Sequence, residues 1–210
     1  MGISDNRSKI TASKEKRKNL TQLHPYQVML FFVLAGITAL FLGLTIAYLF
    51  SKPNWHWASV DFPIPFLFSI LISIAISWAL KNTLHIFEED NPVAYHRHFL
   101  LTLSLSISFL ISQSLGWYSL YASGVHIAGQ PDGSYLYLIS GAHALHVIFG
   151  IIPLIWFCFK SRKLQEDSVT SLVYFTNPYE KIRLKMLVIY WHFVDILWFY
   201  LLLFFLFNHL

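Results

Sequence analysis

Four side chains in this 210-residue sequence carry ionisable chemistry inside long apolar runs: His143, His146, His192 and Asp195. An ionisable group at membrane depth is costly unless paired, so each needs an explanation. His143 and His146 are three residues apart, as are His192 and Asp195. On a helix, each pair shares one face. With a rise of about 1.5 Å per residue, all four can lie within roughly 10 Å of a common depth. One chemistry is an interhelical network in which Asp195 accepts hydrogen bonds from histidine or tryptophan donors of the run holding His143, or elsewhere in the bundle, and so fixes helix register. The other is metal binding, since imidazoles and a carboxylate suit zinc or non-haem iron. Asp195 is the only acidic residue in any apolar run, which leaves a metal short of carboxylates. The expectation is a structural polar cluster, with no catalytic, metal or cofactor-binding residue.

Other polar residues in these runs suit helix packing. Gln113 carries an amide that a neighbouring helix must satisfy. Trp117, Trp191 and Trp198 each bring an indole N–H to an apolar surrounding. Ser104, Ser108 and Ser112 recur every four residues, which predicts a close-packed face. Gly36 and Gly43 suggest close packing or a bend in the first run.

The elements that must position these groups follow from composition. Hydrophobic residues make up 56% of the chain and charged residues only 12%, with a mean hydropathy of +0.53. An ordinary soluble domain carries about 25% charged residues, so this composition disfavours a soluble enzyme, a disordered chain and a nucleic-acid binder. Five apolar runs stand out, at about Tyr26–Phe50, Ile64–Leu80, Phe99–Leu120, Tyr135–Phe159 and Met186–Phe207. Each is long enough to cross a hydrocarbon core as a helix; the second is the shortest, and its helix is expected to begin earlier, near Val60, or to continue past Lys81. The runs are continuous rather than alternating, which excludes spanning strands. The expected fold is an all-α integral membrane protein with five transmembrane helices.

The cations set its orientation. The tail before the first run has Arg7, Lys9, Lys14, Lys16, Arg17 and Lys18. Lys81 and Arg97 follow the second run, and Lys160, Arg162, Lys163, Lys181, Arg183 and Lys185 follow the fourth. Lys52 alone falls on the other side. The positive-inside rule then puts the N-terminus in the cytoplasm and the C-terminus in the periplasm. That asymmetry also accounts for the net charge of +4 without nucleic acid. Residues 1–21 read as a basic, disordered tail without a secretory signal, and 22–210 as one membrane domain. The tail's basic residues could meet anionic lipid. Trp55, Trp57, Trp117, Tyr118, Tyr121 and Tyr135 suit membrane anchors on the outer side, and Trp78, Tyr95, Trp156 and Tyr190 on the inner side. The long connections are polar, and none has the apolar content for a core of its own. Cys158 is the only cysteine, so no intrachain disulfide or cysteine-based metal site forms.

Two stretches match a known pattern. Residues 133–150 read GSYLYLISGAHALHVIFG and residues 190–198 read YWHFVDILW. Both, in this order, resemble the motifs of haem–copper oxidase subunit III. Thr102, Gln113 and Gly116-Trp117 agree with the family's preceding helix, as do His24-Pro25 and Ala47-Tyr48 with the first run. The likeness covers about residues 22–208 and points to the shorter bacterial form with five helices in place of seven. It implies an accessory subunit of a respiratory oxidase in the bacterial inner membrane. It also implies that oxygen reduction, proton pumping, haems and copper belong to partner subunits I and II, with bound phospholipid and a larger respiratory supercomplex as further partners. An accessory subunit of a nitric oxide reductase shares these motifs. A stand-alone metalloprotein using the His/Asp cluster is a further alternative, and a secondary transporter is disfavoured by the lack of internal repeats.

One departure is chemical. Many family members carry a glutamate in the helix corresponding to the first run, where this chain reads Val33-Leu34-Ala35-Gly36-Ile37 with no acid. A hydrophobic carbodiimide is therefore expected to leave peptides of residues 26–50 unlabelled. Mass-spectrometric detection of an adduct there would overturn the alignment at Gly36.

Overall fold

A computed structural model describes residues 25–51, 63–127 and 131–209. The basic tail, His24, Lys52, Trp55 and Trp57 lie outside the described residues. Six helices are present: α1 (Pro25–Ser51), α2 (Ile64–Glu88), α3 (Pro92–Ala122), α4 (Pro131–Leu164), α5 (Ser168–Thr176) and α6 (Pro178–His209). No strand occurs among the described residues. All except α5 are long and apolar enough to cross a membrane.

The chain divides into two units after Thr38. The described part of the first is the opening half of α1, where the Thr38 hydroxyl bonds the Leu34 carbonyl at 2.8 Å. The second unit holds the rest. Three of its helices, α3, α5 and α6, start on polar caps followed by proline or serine. The Asn91 side chain accepts from the Ala94 amide at 3.0 Å, just before Pro92 opens α3. Asn177 accepts from Tyr179 in the same way before α6. Asp167 caps α5, accepting from the Val169 amide at 3.0 Å and from the Thr170 amide and hydroxyl. The Thr170 hydroxyl, then the amides, hold its carboxyl below the usual range. Between α2 and α3, Asp90 takes a left-handed conformation with φ 53°, which lets the chain reverse within three residues.

α2 and α3 form the most extensive pairing. The buried positions on α2 include Phe66, Ser69, Ser73, Ile76, Leu80, Thr83 and Phe87, alternating three and four residues apart. Those on α3 include Tyr95, Phe99, Thr102, Ser106, Phe109, Gln113, Gly116 and Leu120, with the same rhythm. Small side chains at several of these positions let the backbones approach without leaving voids. The packed face of α3 therefore runs through Thr102 and Ser106. Ser104 and Ser108 are exposed and bond backbone carbonyls of their own helix, while Ser112 alone of that trio is buried and reaches the Pro65 carbonyl at 2.7 Å. Gly36 and Gly43 mark no close approach among the described residues: a Cβ at either would meet no atom of theirs within 4 Å. Glycines that do allow close approach are Gly116, against Phe66, Gly133, against Val125, and Gly150, against Tyr190 and Trp191.

The apolar runs also understate the helices at their basic ends. Lys81 lies within α2, which continues to Glu88, and Arg97 lies within α3. The connection after the fourth run contains α5, whose buried Tyr174 and Phe175 face an aromatic cluster of Phe87 and Tyr95. Phe99 continues it, with its ring 4.9 Å from Tyr95 and stacked at 5.1 Å on Phe157. This segment thus shares a core with the spans. Tyr95 is fully buried in it, bonding Tyr174 between hydroxyls at 3.1 Å, so it is a core residue and no membrane anchor. Burial pushes the Tyr174 phenol up. Trp78 and Trp156 do reach the surface, as an anchor must.

Gly116→Ala is expected to destabilise the protein by about 1–3 kcal/mol, because the new methyl would lie 2.2 Å from the ring of fully buried Phe66. Gly36→Ala should leave stability unchanged. Thermal unfolding of both variants in detergent checks the contrast.

Candidate functional site

The sequence-picked groups form two centres. In the first, Ser69 on α2 serves as a junction. Its hydroxyl donates to the Phe66 carbonyl at 2.6 Å and accepts from the indole of Trp198 on α6 at 2.7 Å. It also accepts from the amide of Gln113 on α3 at 3.4 Å. One donor and two lone pairs are thereby all used. All three residues are buried. The expected partner of Gln113 is thus a hydroxyl on α2, although its carbonyl oxygen Oε1 finds none.

His143 joins this centre through ring contact. It is fully buried, stacked on Trp198 at 4.9 Å and edge-on to Phe109 at 5.8 Å and Phe41 at 6.5 Å. Neither ring nitrogen has a hydrogen-bond partner among the described residues. His146 faces the same Phe41 at 5.5 Å, but its Nδ1 donates to the Ala142 carbonyl at 2.7 Å. Nearby, Trp117 donates to Ser140 on α4 at 2.9 Å, tying α3 to α4. Trp191 is buried against Gly150, and its indole N–H has no hydrogen-bond partner among the described residues. Tyr190 donates to the His146 carbonyl at 2.8 Å, joining α6 to α4.

The second centre holds His192, Asp195 and Ser77. The Ser77 hydroxyl donates to Asp195 Oδ2 at 2.5 Å and lies 2.9 Å from His192 Nδ1. A hydroxyl has one proton, and here it goes to the carboxylate. His192 must therefore carry its own proton on Nδ1 and donate to Ser77. His192 and Asp195 do share a face, since both meet one serine. The donor to Asp195 is a serine of α2, however, and neither histidine of α4 bonds it. The difference is one of neighbours: α6 packs against α2 as well as against α4. Among the described residues no group of three or more His, Cys, Asp or Glu side chains is placed to hold a metal ion. The two centres instead keep His143 and Asp195 in separate surroundings.

Ser69 and Ser77 are the residues that sequence reasoning missed. Their signal is the repeat Ser69, Ser73, Ser77, one hydroxyl every four residues along one side of α2.

A charged cluster lies at the basic end. Glu180 is buried, with Lys160 at 2.8 Å and Arg183 at 3.1 Å. The Lys160 ammonium sits 4.7 Å from both the Trp156 and Tyr174 rings. A buried carboxylate with two cations is compensated, so this cluster pins α4, α5 and α6 together.

Ser69→Ala is expected to lower stability by about 1–3 kcal/mol, because the indole of Trp198 loses its buried acceptor. Ser104→Ala, at an exposed hydroxyl bonded only within its own helix, should be neutral. Equal effects in thermal unfolding would remove Ser69 from its place as junction.

Comparison with known proteins accounts for these motifs together. The family model for cytochrome c oxidase subunit III matches residues 26–209. A probable cytochrome c oxidase subunit 3 of Mycobacterium leprae is 30% identical over 128 residues, 61% of this chain and 58% of the relative. The first relatives are thus matched over less than two thirds of their length. The cytochrome c oxidase subunit 3 of Corynebacterium diphtheriae is 27% identical, with 75% of this chain and 76% of the relative covered. That of Synechocystis is 26% identical, over 84% of this chain and 72% of the relative. With five apolar helices and a family match that includes α4 and α6, this multi-pass membrane chain belongs to the cytochrome c oxidase subunit III family.

Proposed function

We propose that the chain is a non-redox accessory subunit of a bacterial haem–copper respiratory oxidase. It packs on the catalytic subunit I and stabilises it, within a complex that also contains subunit II, reduces oxygen to water and pumps protons. The observation that carries this reading is the family match across residues 26–209, which includes both polar motifs. The side chains of those motifs support it: His192 and Asp195 meet Ser77, Trp198 meets Ser69 and Tyr190 meets the His146 carbonyl, bonds that join helices. Haems and copper belong to the partners in this reading, and phospholipid covers the exposed apolar faces. The complex sits in the inner membrane.

Orientation follows from the same cations as before. Lys81, Arg97, Lys160, Arg162, Lys163, Lys181, Arg183 and Lys185 all lie toward the ends of α2 to α4 and α6 that meet around α5. We place that end in the cytoplasm, with the basic tail, and the C-terminus in the periplasm. Any proton-uptake role that needs a carboxylate in α1 is absent from this proposal, because α1 has none.

Purification of the native complex in mild detergent is expected to recover this chain with a haem-bearing subunit. The preparation should consume oxygen with cytochrome c or a quinol as donor. Removal of this chain should leave the haem spectrum of the remaining subunits unchanged. A partner that reduces nitric oxide but not oxygen would overturn the oxidase reading in favour of a nitric oxide reductase. Stoichiometric metal in the isolated chain would overturn the accessory one.

A further inference from the structure

The end of the bundle opposite the lysines and arginines carries a hollow of about 480 Å³. It lies between the end of α3, the turn that follows and the start of α4. Its walls are Trp117, Tyr118, Tyr121, His126, Ile127 and Tyr137. Tyrosine and tryptophan thus dominate the lining, and no Lys, Arg, Asp or Glu belongs to it. The volume falls in the range of about 300–1,000 Å³ typical of small-molecule sites.

Hydrogen bonds pin the frame around this hollow. The Trp117 indole donates to Ser140 on α4 at 2.9 Å. The Tyr137 hydroxyl lies 3.2 Å from the Trp117 carbonyl and 3.0 Å from the Val125 carbonyl. The turn that carries His126 and Ile127 passes through Gly124, whose φ of 83° suits glycine. Its Val125 amide donates to the Leu120 carbonyl at 3.0 Å, and its Ile127 carbonyl accepts from Ser134 at 2.5 Å. A Cβ at Gly133 would lie 2.5 Å from a Val125 methyl, so this glycine lets the turn sit against α4. The Tyr121 and His126 rings meet edge-on at 4.9 Å. Tyr118, Tyr121 and Ile127 are 64–70% exposed, so the hollow opens to the surroundings. Rings that serve only as membrane anchors need the right depth. They need neither convergence on one hollow nor a hydrogen-bonded frame that holds it open.

The lining narrows the occupant's chemistry. An aromatic face is negative and attracts a cation within about 6 Å of the ring centre. The chain uses this attraction at its basic end, where the Lys160 ammonium sits 4.7 Å from both the Trp156 and Tyr174 rings. At the hollow the same ring types gather without an ammonium, since every described Lys and Arg lies at the basic end. Of the walls only His126 can take a positive charge, so an anionic group finds little there to pair with. An acyl tail has ample apolar surface elsewhere on the helices. The hollow sits where α3 and α4 leave their apolar runs, which is the depth of lipid headgroups.

We propose that this hollow is a headgroup site for a single lipid, selective for an ammonium or trimethylammonium group that the Trp117, Tyr118, Tyr121 and Tyr137 rings hold by cation–π attraction. It differs from the lipid that coats the apolar faces, because the headgroup and not the tail is recognised. The assignment does not depend on which complex the chain joins.

The test uses the full chain in nanodiscs of equal parts phosphatidylcholine and phosphatidylglycerol with the same acyl chains, at pH 8, above the ordinary imidazole range. Native mass spectrometry counts the lipids retained on the chain. The first phosphatidylcholine is expected to bind about fivefold more weakly when Tyr118→Leu and Tyr121→Leu are combined, with phosphatidylglycerol unchanged. Tyr118→Phe with Tyr121→Phe keeps the rings and should stay within about twofold of the unaltered chain. Trp78→Leu, at an exposed ring of the other end, should have no effect. Both tyrosines are exposed, so these variants keep the packed core. An equal loss of phosphatidylglycerol would make the contact apolar and overturn the site. So would an equal loss in the phenylalanine variant, which would assign the effect to the hydroxyls, or in Trp78→Leu, which would reduce the rings to anchors. Equal phosphatidylcholine retention by unaltered and leucine-substituted chains within the native complex would mean that a partner subunit fills the hollow, and would overturn it as well.

Discussion

Hydrocarbon offers no hydrogen bonds, so a polar side chain carried into the membrane must be completed by protein. The Ser69 hydroxyl shows what that constraint builds. It takes its donor bond from its own helix, then receives an indole from α6 and an amide from α3. Shifting any of the three helices by a residue would strand Trp198 or Gln113 in an apolar core. Apolar packing alone tolerates such slips, because leucine and phenylalanine are as well solvated by lipid as by one another. The register of α2, α3 and α6 is thus carried by a few hydroxyls, and the aromatic rings fill the space that the register defines. Phe66 and Phe109 stand edge-on to Trp198, and His143 stacks on the same indole.

The basic end is held differently. There α2, α3, α4 and α6 run past the apolar stretches and meet α5. A charge buried at that end can be compensated by other charges, as Glu180 is by Lys160 and Arg183, and as exposed Glu88 is by Lys181 at 2.8 Å. The aromatic rings of Phe87, Tyr95, Phe99, Phe157, Tyr174 and Phe175 provide the apolar part. Lysines that count toward orientation therefore also have structural partners. Lys160 is at once a topological cation, an ion-pair partner and a cation over two rings.

Much of this was legible in the sequence, with physical reasons for what was not. Length and hydropathy located all five long helices, because twenty apolar residues in succession have few other uses. The short second run pointed to a helix continuing past Lys81, as it does, but the fourth run stopped short, since hydropathy falls at Lys160 although the backbone hydrogen bonding does not. The caps before α3, α5 and α6, at Asn91, Asp167 and Asn177, went unread although a local rule covers them. The motif histidines and Asp195 were visible as costly residues, but their partners were not. His143 against Trp198, and Asp195 against Ser77, depend on which helices become neighbours, and periodicity within one helix does not state that. The serines of α3 mislead for the same reason: a four-residue repeat identifies a face without saying whether that face turns inward. On α2 the repeat is buried at Ser69 and Ser73, and on α3 it is exposed at Ser104 and Ser108.

The contrast between Ser69 and Ser77 carries this one step further. Both are serines on the same side of α2, two turns apart, and both meet side chains of α6. Ser69 lies where α3 closes the third side of the junction. At Ser77 the third side is open, and the group exposed there is an acid. A chain that had only to fold could replace the Asp195 centre with apolar side chains at little cost, since hydrophobic replacement of buried ionisable groups is often neutral or stabilising. The Ser69 centre is needed to register three helices of one chain. The Asp195 centre registers two, α2 with α6, and retains acceptor capacity that neither uses.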